Sequence, residues 1–231
     1  MKHTISDLYQ MQSMPLAIKV RMTQNRIRGW VDNFGLDGVY VSFSGGKDST
    51  VLLNIARGLY PDMLAVFVDT GLEYPEVRNF VKTYDNVEWL KPKKNFRQVI
   101  EEYGYPFISK EVSGKVYEAI SKPDGYAATQ CFNSNSEKIK KYGKRYDLSK
   151  WSFFLNAPFR ISSHCCNIMK KSPVKMFEKV TGRYGITAQM ASESNVRTRQ
   201  WLEHGCNGFD KKKTHLQSYE LLDGTGRTSL H

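Results

Sequence analysis

The sequence predicts an α/β fold: a doubly wound, mainly parallel sheet with helices on both faces, preceded by a helical extension. Two observations carry this prediction. Short apolar strands alternate with helical segments between about residues 38 and 103, in the order strand, helix, strand, helix, strand. The first strand also runs straight into a glycine turn and then a helix, as Val41-Ser42-Phe43-Ser44-Gly45-Gly46-Lys47-Asp48-Ser49-Thr50. In such a sheet, ligands belong at the carboxyl ends of the strands. A chain of 231 residues fits one elaborated domain, or at most two small ones.

The elements follow in order. Residues 1–35 read as a helical extension, because Leu8, Met11, Leu16, Val20, Ile27, Trp30, Val31 and Phe34 recur at roughly helical spacing. Ile18 and Met22 fall off that stripe. Pro15 starts a new helix and Gly35 ends it. A domain over residues 36–210 comes next. Its first strand, at about 38–43, shows alternation at Val39, Val41 and Phe43. The helix after the glycine turn runs to about Gly58. A second strand, Leu64–Val68, ends at Asp69-Thr70-Gly71, and a helix follows Pro75. A third strand lies near Val87–Leu90, followed by a helix at Phe96–Tyr103. Residues 104–165 are more polar and less regular, with helices near 110–121 and 134–142. A helix at 172–181 stops at Gly182, a strand at Gly185–Ala188 returns to the sheet, and a last helix covers 194–204.

The glycine turn has a physical reading of its own. Gly45 and Gly46 let the backbone turn tightly and approach a ligand. The amides at the helix start, with the helix dipole, make an anion site. Ser42, Ser44, Lys47, Ser49 and Thr50 add hydroxyls and a cation. That combination suits a phosphate group. The spacing is not the Walker pattern, which needs four residues between its first Gly and its Gly-Lys pair.

Composition narrows the class. Hydrophobic residues make up 40% of the chain, and no stretch reaches the ~18 apolar residues of a membrane span. Met1-Lys2-His3-Thr4 leads into no apolar signal core, so a cytoplasmic protein without a membrane partner is expected. The 34 basic and 23 acidic residues give a net charge of +11. The excess is spread along the sequence, at Lys91–Lys94, Lys138–Arg145, Lys170–Lys175 and Lys211–Lys213. It fits an anionic ligand or nucleic acid, and equally a solvated basic surface. Four cysteines, Cys131, Cys165, Cys166 and Cys206, suggest metal or redox chemistry rather than a disulfide framework.

Several segments together resemble one family. Ser44-Gly45-Gly46-Lys47-Asp48-Ser49 resembles the pyrophosphate loop (PP-loop) of the adenine nucleotide alpha-hydrolase superfamily, which has a Rossmann-like fold. Val68-Asp69-Thr70-Gly71-Leu72-Glu73-Tyr74-Pro75-Glu76 is similar to the second-strand motif of the phosphoadenosine phosphosulfate (PAPS) reductase family. Cys165-Cys166-Asn167-Ile168-Met169-Lys170-Lys171-Ser172-Pro173 resembles the cysteine segment of iron–sulfur adenylylsulfate (APS) reductases. Ile186–Arg197 resembles a fourth-strand segment of the same family. The resemblance spans about residues 38–206.

It implies an adenylyl nucleotide (ATP, APS or PAPS) bound at Ser42, Ser44, Gly45, Gly46, Lys47, Asp48, Ser49, Asp69, Gly71, Glu73 and Arg197. The implied chemistry is sulfur-related reduction or transfer, with a thiol or protein donor of electrons or sulfur. Asp48 either caps its helix or meets the ligand. Asp69 would hold a ribose hydroxyl, an adenine amine or a magnesium ion. Arg197 either pairs with Glu193 or reaches the ligand. Cys131, Cys165, Cys166 and Cys206 are expected as ligands of a [4Fe-4S] cluster, which takes four thiolates. Their other reading is as small buried hydrophobes.

The pattern departs from the family in three places. Ala188 and Met190 stand where the family has Gly and Arg. The terminal thiol segment of the true reductases is missing. Residues 214–231 lack the family's proline-led loop and Trp-Thr helix start. Read one nucleotide later, an allowed codon choice for that stretch gives Asn-Pro-Met-Ser-Phe-Trp-Thr-Glu-Gln-Asp-Val, which is the expected text. Residues 211–231 are therefore expected to be a disordered, frameshifted tail. Two other functional readings stand beside the leading one: an ATP-dependent nucleic-acid sulfurtransferase, and a non-catalytic nucleotide-binding module or truncated inactive remnant.

Overall fold

A computed structural model describes residues 3–205 and 219–220. Its described residues divide into two compact units. The first comprises residues 3–69, 73–90, 175–205 and 219–220; the second comprises 70–72 and 91–174.

The first unit is built on a four-stranded parallel sheet. Its strands are β1 (Val39–Ser42), β2 (Ala65–Val68), β3 (Val87–Leu90) and β4 (Tyr184–Thr187), in the order β3-β2-β1-β4. Register pairs Val41 with Ala65 on one side of β1 and with Ile186 on the other. Helix α3 (Lys47–Leu59) connects β1 to β2, and α4 (Pro75–Lys82) connects β2 to β3. Right-handed crossovers in this order put both helices on one face of the sheet.

Side-chain contacts show both faces covered. Phe43, just past β1, packs against Phe80 and Tyr84 at the α4 end. Tyr40, one pleat away, points to the other face. It meets Phe177 of α9 (Ser172–Thr181) edge-on at 5.4 Å and donates to Glu178 Oε1 at 2.8 Å. The expected doubly wound α/β fold is thus the observed one.

The N-terminal helices are α1 (Ile5–Gln12) and α2 (Leu16–Phe34). A capping box at Thr4 and Asp7 starts α1, and α2 starts after Pro15 and ends at Gly35. Ile27, Trp30 and Val31 of α2 join the main core with Val39, Val41, Phe43, Leu52, Leu53, Phe67, Val81 and Ile186. Leu8 of α1 packs with Ala191 and with Trp201 of α10 (Asn195–His204). At Gly185 a Cβ would lie 2.6 Å from the Tyr40 hydroxyl, so this β4 position has room only for glycine beside its register partner.

The second unit contains α5 (Phe96–Tyr103), α6 (Lys110–Ser121), α7 (Glu137–Tyr142) and a short α8 (His164–Cys166), and Val112 and Val116 of α6 form its core with Phe154 and Ile161. Asn95 and Gln98 form a capping box on α5, and Ser109 and Ser136 cap α6 and α7. Two π-helical turns, Ala127–Cys131 and Asn167–Lys171, sit beside the cysteines. Sequence periodicity gave no sign of either turn.

Strand β5 (Gln189–Met190) pairs in parallel with β6 (Tyr219–Glu220). Apart from those two residues, the expectation for residues 211–231 lies outside the described residues. Among the described residues, no helix is long and apolar enough to cross a membrane.

Candidate functional site

The end of β1 and the start of α3 form a turn held by its own hydroxyls. The Ser44 backbone amide donates to Ser49 Oγ at 3.1 Å, and the two serine hydroxyls are 3.0 Å apart. Ser49 Oγ and Thr50 Oγ1 both donate to the Gly46 carbonyl at 2.9 Å. The Gly46 amide reaches Ser44 Oγ at 3.3 Å. Ser44, Ser49 and Thr50 therefore shape the loop, a role beyond supplying donors to a ligand.

Gly45 has φ +71°, the left-handed region that favours glycine. A Cβ there would meet Val77 Cγ1 at 2.9 Å and Val81 Cγ2 at 3.0 Å on α4. Gly45 is thus fixed by conformation and by packing together. Gly46 is the N-cap of α3, and no side chain caps that helix. Asp48 lies inside the first turn and is not the cap. The first turn of α3 thus lacks a side-chain cap, and exposed Lys47 lies beside its amides.

Asp69 follows β2, the strand next to β1. The Phe43 amide donates to the Val66 carbonyl and the Asp69 amide to the Leu90 carbonyl, so β1 and β2 end side by side. The Asp69 carboxylate is buried and takes a 2.7 Å bond from Arg78 of α4. Sequence reasoning did not pick out Arg78. Its signal was positional, since it lies in the first turn of the helix that Pro75 opens. Glu73 is half-buried. Gly71, grouped with the second unit, has φ +79° in open space, so only its backbone conformation calls for glycine. Ser42 ends β1 opposite Val66 and Thr187.

Arg197 pairs with Glu193 one turn earlier. Ser194 caps α10 by accepting from the Arg197 amide at 3.3 Å. Met190, where the resemblance expects arginine, is buried.

The cysteines stand apart in character. Cys131 is buried at the end of a π turn, with Lys138 Nζ 3.5 Å from its sulfur. Cys165 and Cys166 are half-buried free thiols in α8. His164 lies between Tyr103, stacked at 5.4 Å, and Tyr117, edge-on at 4.6 Å, and its Nδ1 is buried without a hydrogen-bond partner. Among the described residues, no three His, Cys, Asp or Glu side chains are grouped to hold a metal ion. Cys206, the fourth expected thiol, lies outside the described residues. Asp69 is likewise in no such group for magnesium.

Residues 38–128 match the family model described as the phosphoadenosine phosphosulfate reductase domain. Over those residues the chain is similar to that domain. The matched segment holds the glycine turn and Asp69, in agreement with the resemblance read from those residues. Two uncharacterized proteins of Methanocaldococcus jannaschii are similar over 73 residues. One is 42% identical, over 29% of this chain and 18% of its own length. The other is 40% identical, over 29% of this chain and 15% of its own length. The match thus spans less than a fifth of either relative. A solved PAPS reductase of Candida auris, in a phosphate complex, aligns with a TM-score of 0.48 at 12% identity, covering 98% of this chain and 85% of that one.

Proposed function

We infer that this chain is of the PAPS reductase type, that it binds an adenylyl nucleotide with its phosphates on the glycine turn, and that it uses the nucleotide in sulfur-related reductase or transferase chemistry. The observation that carries this reading is the uncapped start of α3 behind a Gly45 locked at φ +71°. Backbone amides held in a convergent turn stabilise phosphate oxygens without having to reorganise. Lys47 supplies the neutralising charge. Asp69 and Arg78, at the end of the neighbouring strand, provide an acceptor and a donor for the nucleoside end.

Isothermal titration with ATP, APS and PAPS tests the reading. Binding of at least one is expected. Lys47→Ala should weaken it roughly 10- to 150-fold, the loss of one charge-assisted hydrogen bond. Because Lys47 is exposed, the urea midpoint should not move. Absence of binding by all three nucleotides refutes the reading.

A further inference from the structure

The net charge is concentrated in one compact unit. Residues 70–72 and 91–174 hold 16 Lys and Arg against 7 Asp and Glu, or +9 of the chain's +11. The rest of the chain holds 18 against 16. Along the sequence the basic residues look dispersed, and the division of the fold gathers them. Charge alone marks solvated surface as readily as a binding face. The placement of the lysines is the second, independent observation.

Lys115 Nζ and Lys138 Nζ lie 5.4 Å and 5.0 Å from the centre of the Tyr126 ring. Lys138 Nζ is also 5.0 Å from the Tyr146 ring. Tyr146 meets Tyr142 edge-on at 6.1 Å, and Lys141 Nζ is 5.3 Å from the Tyr142 ring. Six side chains from α6, α7 and the turns beside them thus form one unbroken ladder of cations and rings. Tyr126 and Tyr142 are 53% and 59% exposed. Lys115 shares its charge with Glu118 at 2.7 Å. Among the described residues, Lys138 and Lys141 have no carboxylate partner. Burial opposes the charge of Lys138, but hydrogen bonds to Tyr126 and Cys131 outweigh it and raise its basicity.

We propose that this ladder is a track for single-stranded nucleic acid, with phosphates at Lys138 and Lys141 and unpaired bases against Tyr126 and Tyr142. A sugar–phosphate chain calls for repeated cations, and each unpaired base offers a π-face to a ring. A duplex buries those base faces in its own stack. An acidic polypeptide would engage the lysines but gain nothing from the tyrosines. No residue of the ladder belongs to the glycine turn, so this proposal and the nucleotide reading fail separately.

Fluorescence anisotropy with the full chain tests it. The probes are a labelled single-stranded DNA and a single-stranded RNA of about 12 nucleotides, within the usual site size. Competitors are the matching duplex and polyglutamate. Both single strands should bind more tightly than the duplex. The slope of log affinity against log salt should be about −1.4, from about 0.7 per phosphate at two lysines. Tyr142→Ala should weaken binding roughly 5- to 150-fold, the loss of one stacked base, while Tyr142→Trp retains it. Lys141→Gln should reduce the slope by about 0.7. Four outcomes would overturn the proposal: no oligonucleotide binding at low salt, equal affinity for duplex, equal competition by polyglutamate, or indifference to Tyr142→Ala. So would sedimentation showing self-association that Tyr142→Ala abolishes without any oligonucleotide binding.

Discussion

Substituting Gly45 by alanine separates a glycine held by geometry from one that merely fills a turn. Two penalties add at this position. An alanine at φ +71° incurs about 1–2 kcal/mol of local strain. Its Cβ would also sit 2.9 Å and 3.0 Å from methyl carbons of Val77 and Val81, and Val81 is fully buried in the core. Such overpacking typically costs about 1–3 kcal/mol. The sum is about 2–5 kcal/mol, or a urea midpoint lowered by about 1–2.5 M at an m-value of about 2 kcal/mol/M. Gly46→Ala is the internal control. Gly46 has φ −82°, and its Cβ would meet only Ser44 Oγ at 3.3 Å, so a change within about 0.5 kcal/mol is expected. Trimming Val77 to alanine in the Gly45→Ala background removes one of the two contacts and leaves the strain. A double-mutant cycle should therefore return a favourable coupling of about 1 kcal/mol. Equal midpoints for Gly45→Ala and Gly46→Ala, or zero coupling to Val77, would refute the claim that α4 braces the turn.

Two further predictions concern buried polar pairs in the same unit. Arg78→Ala should destabilise more than Asp69→Asn. The carboxylate is the buried partner, with 4% of its side chain exposed against 42% for the arginine, and asparagine can still accept the 2.7 Å bond; losses of about 2 and below about 1 kcal/mol are expected, read from urea midpoints. Tyr40 gives a pH signature. Burial first, and the Glu178 carboxylate second, push its hydroxyl far above the usual tyrosine range. The folded state therefore keeps its proton where the unfolded chain, with an ordinary tyrosine pKa of about 10, releases it. Stability from this group is fully present below about pH 10 and falls above it by up to about 1.4 kcal/mol per pH unit. Tyr40→Phe should flatten the difference between urea melts at about pH 9 and pH 11. An unchanged slope would mean that Tyr40 ionises in the fold.

Sheet and helices were legible because their signals are local. Alternation at Val39, Val41 and Phe43, the Leu64–Val68 run and the proline before α4 placed the strands and crossovers within a residue or two. What the sequence concealed depends on contacts distant along the chain. Arg78 meets Asp69 only because α4 folds back over the end of β2. Tyr40 reads as one more apolar strand residue, yet its partner Glu178 is 138 positions away. The two π turns beside the cysteines leave no period to detect. The charge was countable, but its concentration appeared only when residues 91–174 proved to be a compact unit.

That uneven charge also bears on how the glycine turn recognises its ligand. Outside residues 70–72 and 91–174, basic and acidic residues nearly cancel, at 18 against 16. Within its own unit a phosphate site has little long-range field to draw on. What that unit offers is short-range, namely the amides at the start of α3 and one lysine. Those contacts act within the first turn of a helix, well inside a Debye length. Binding at the turn should therefore respond weakly to ionic strength and strongly to the position of Gly45. Binding at the Tyr126–Tyr142 ladder should show the opposite pattern, falling steeply with salt. A salt titration of ATP beside one of oligonucleotide, on the same protein, separates the two modes of recognition. Parallel salt slopes would mean that both ligands share one electrostatic surface, and would count against assigning them to different features of the chain.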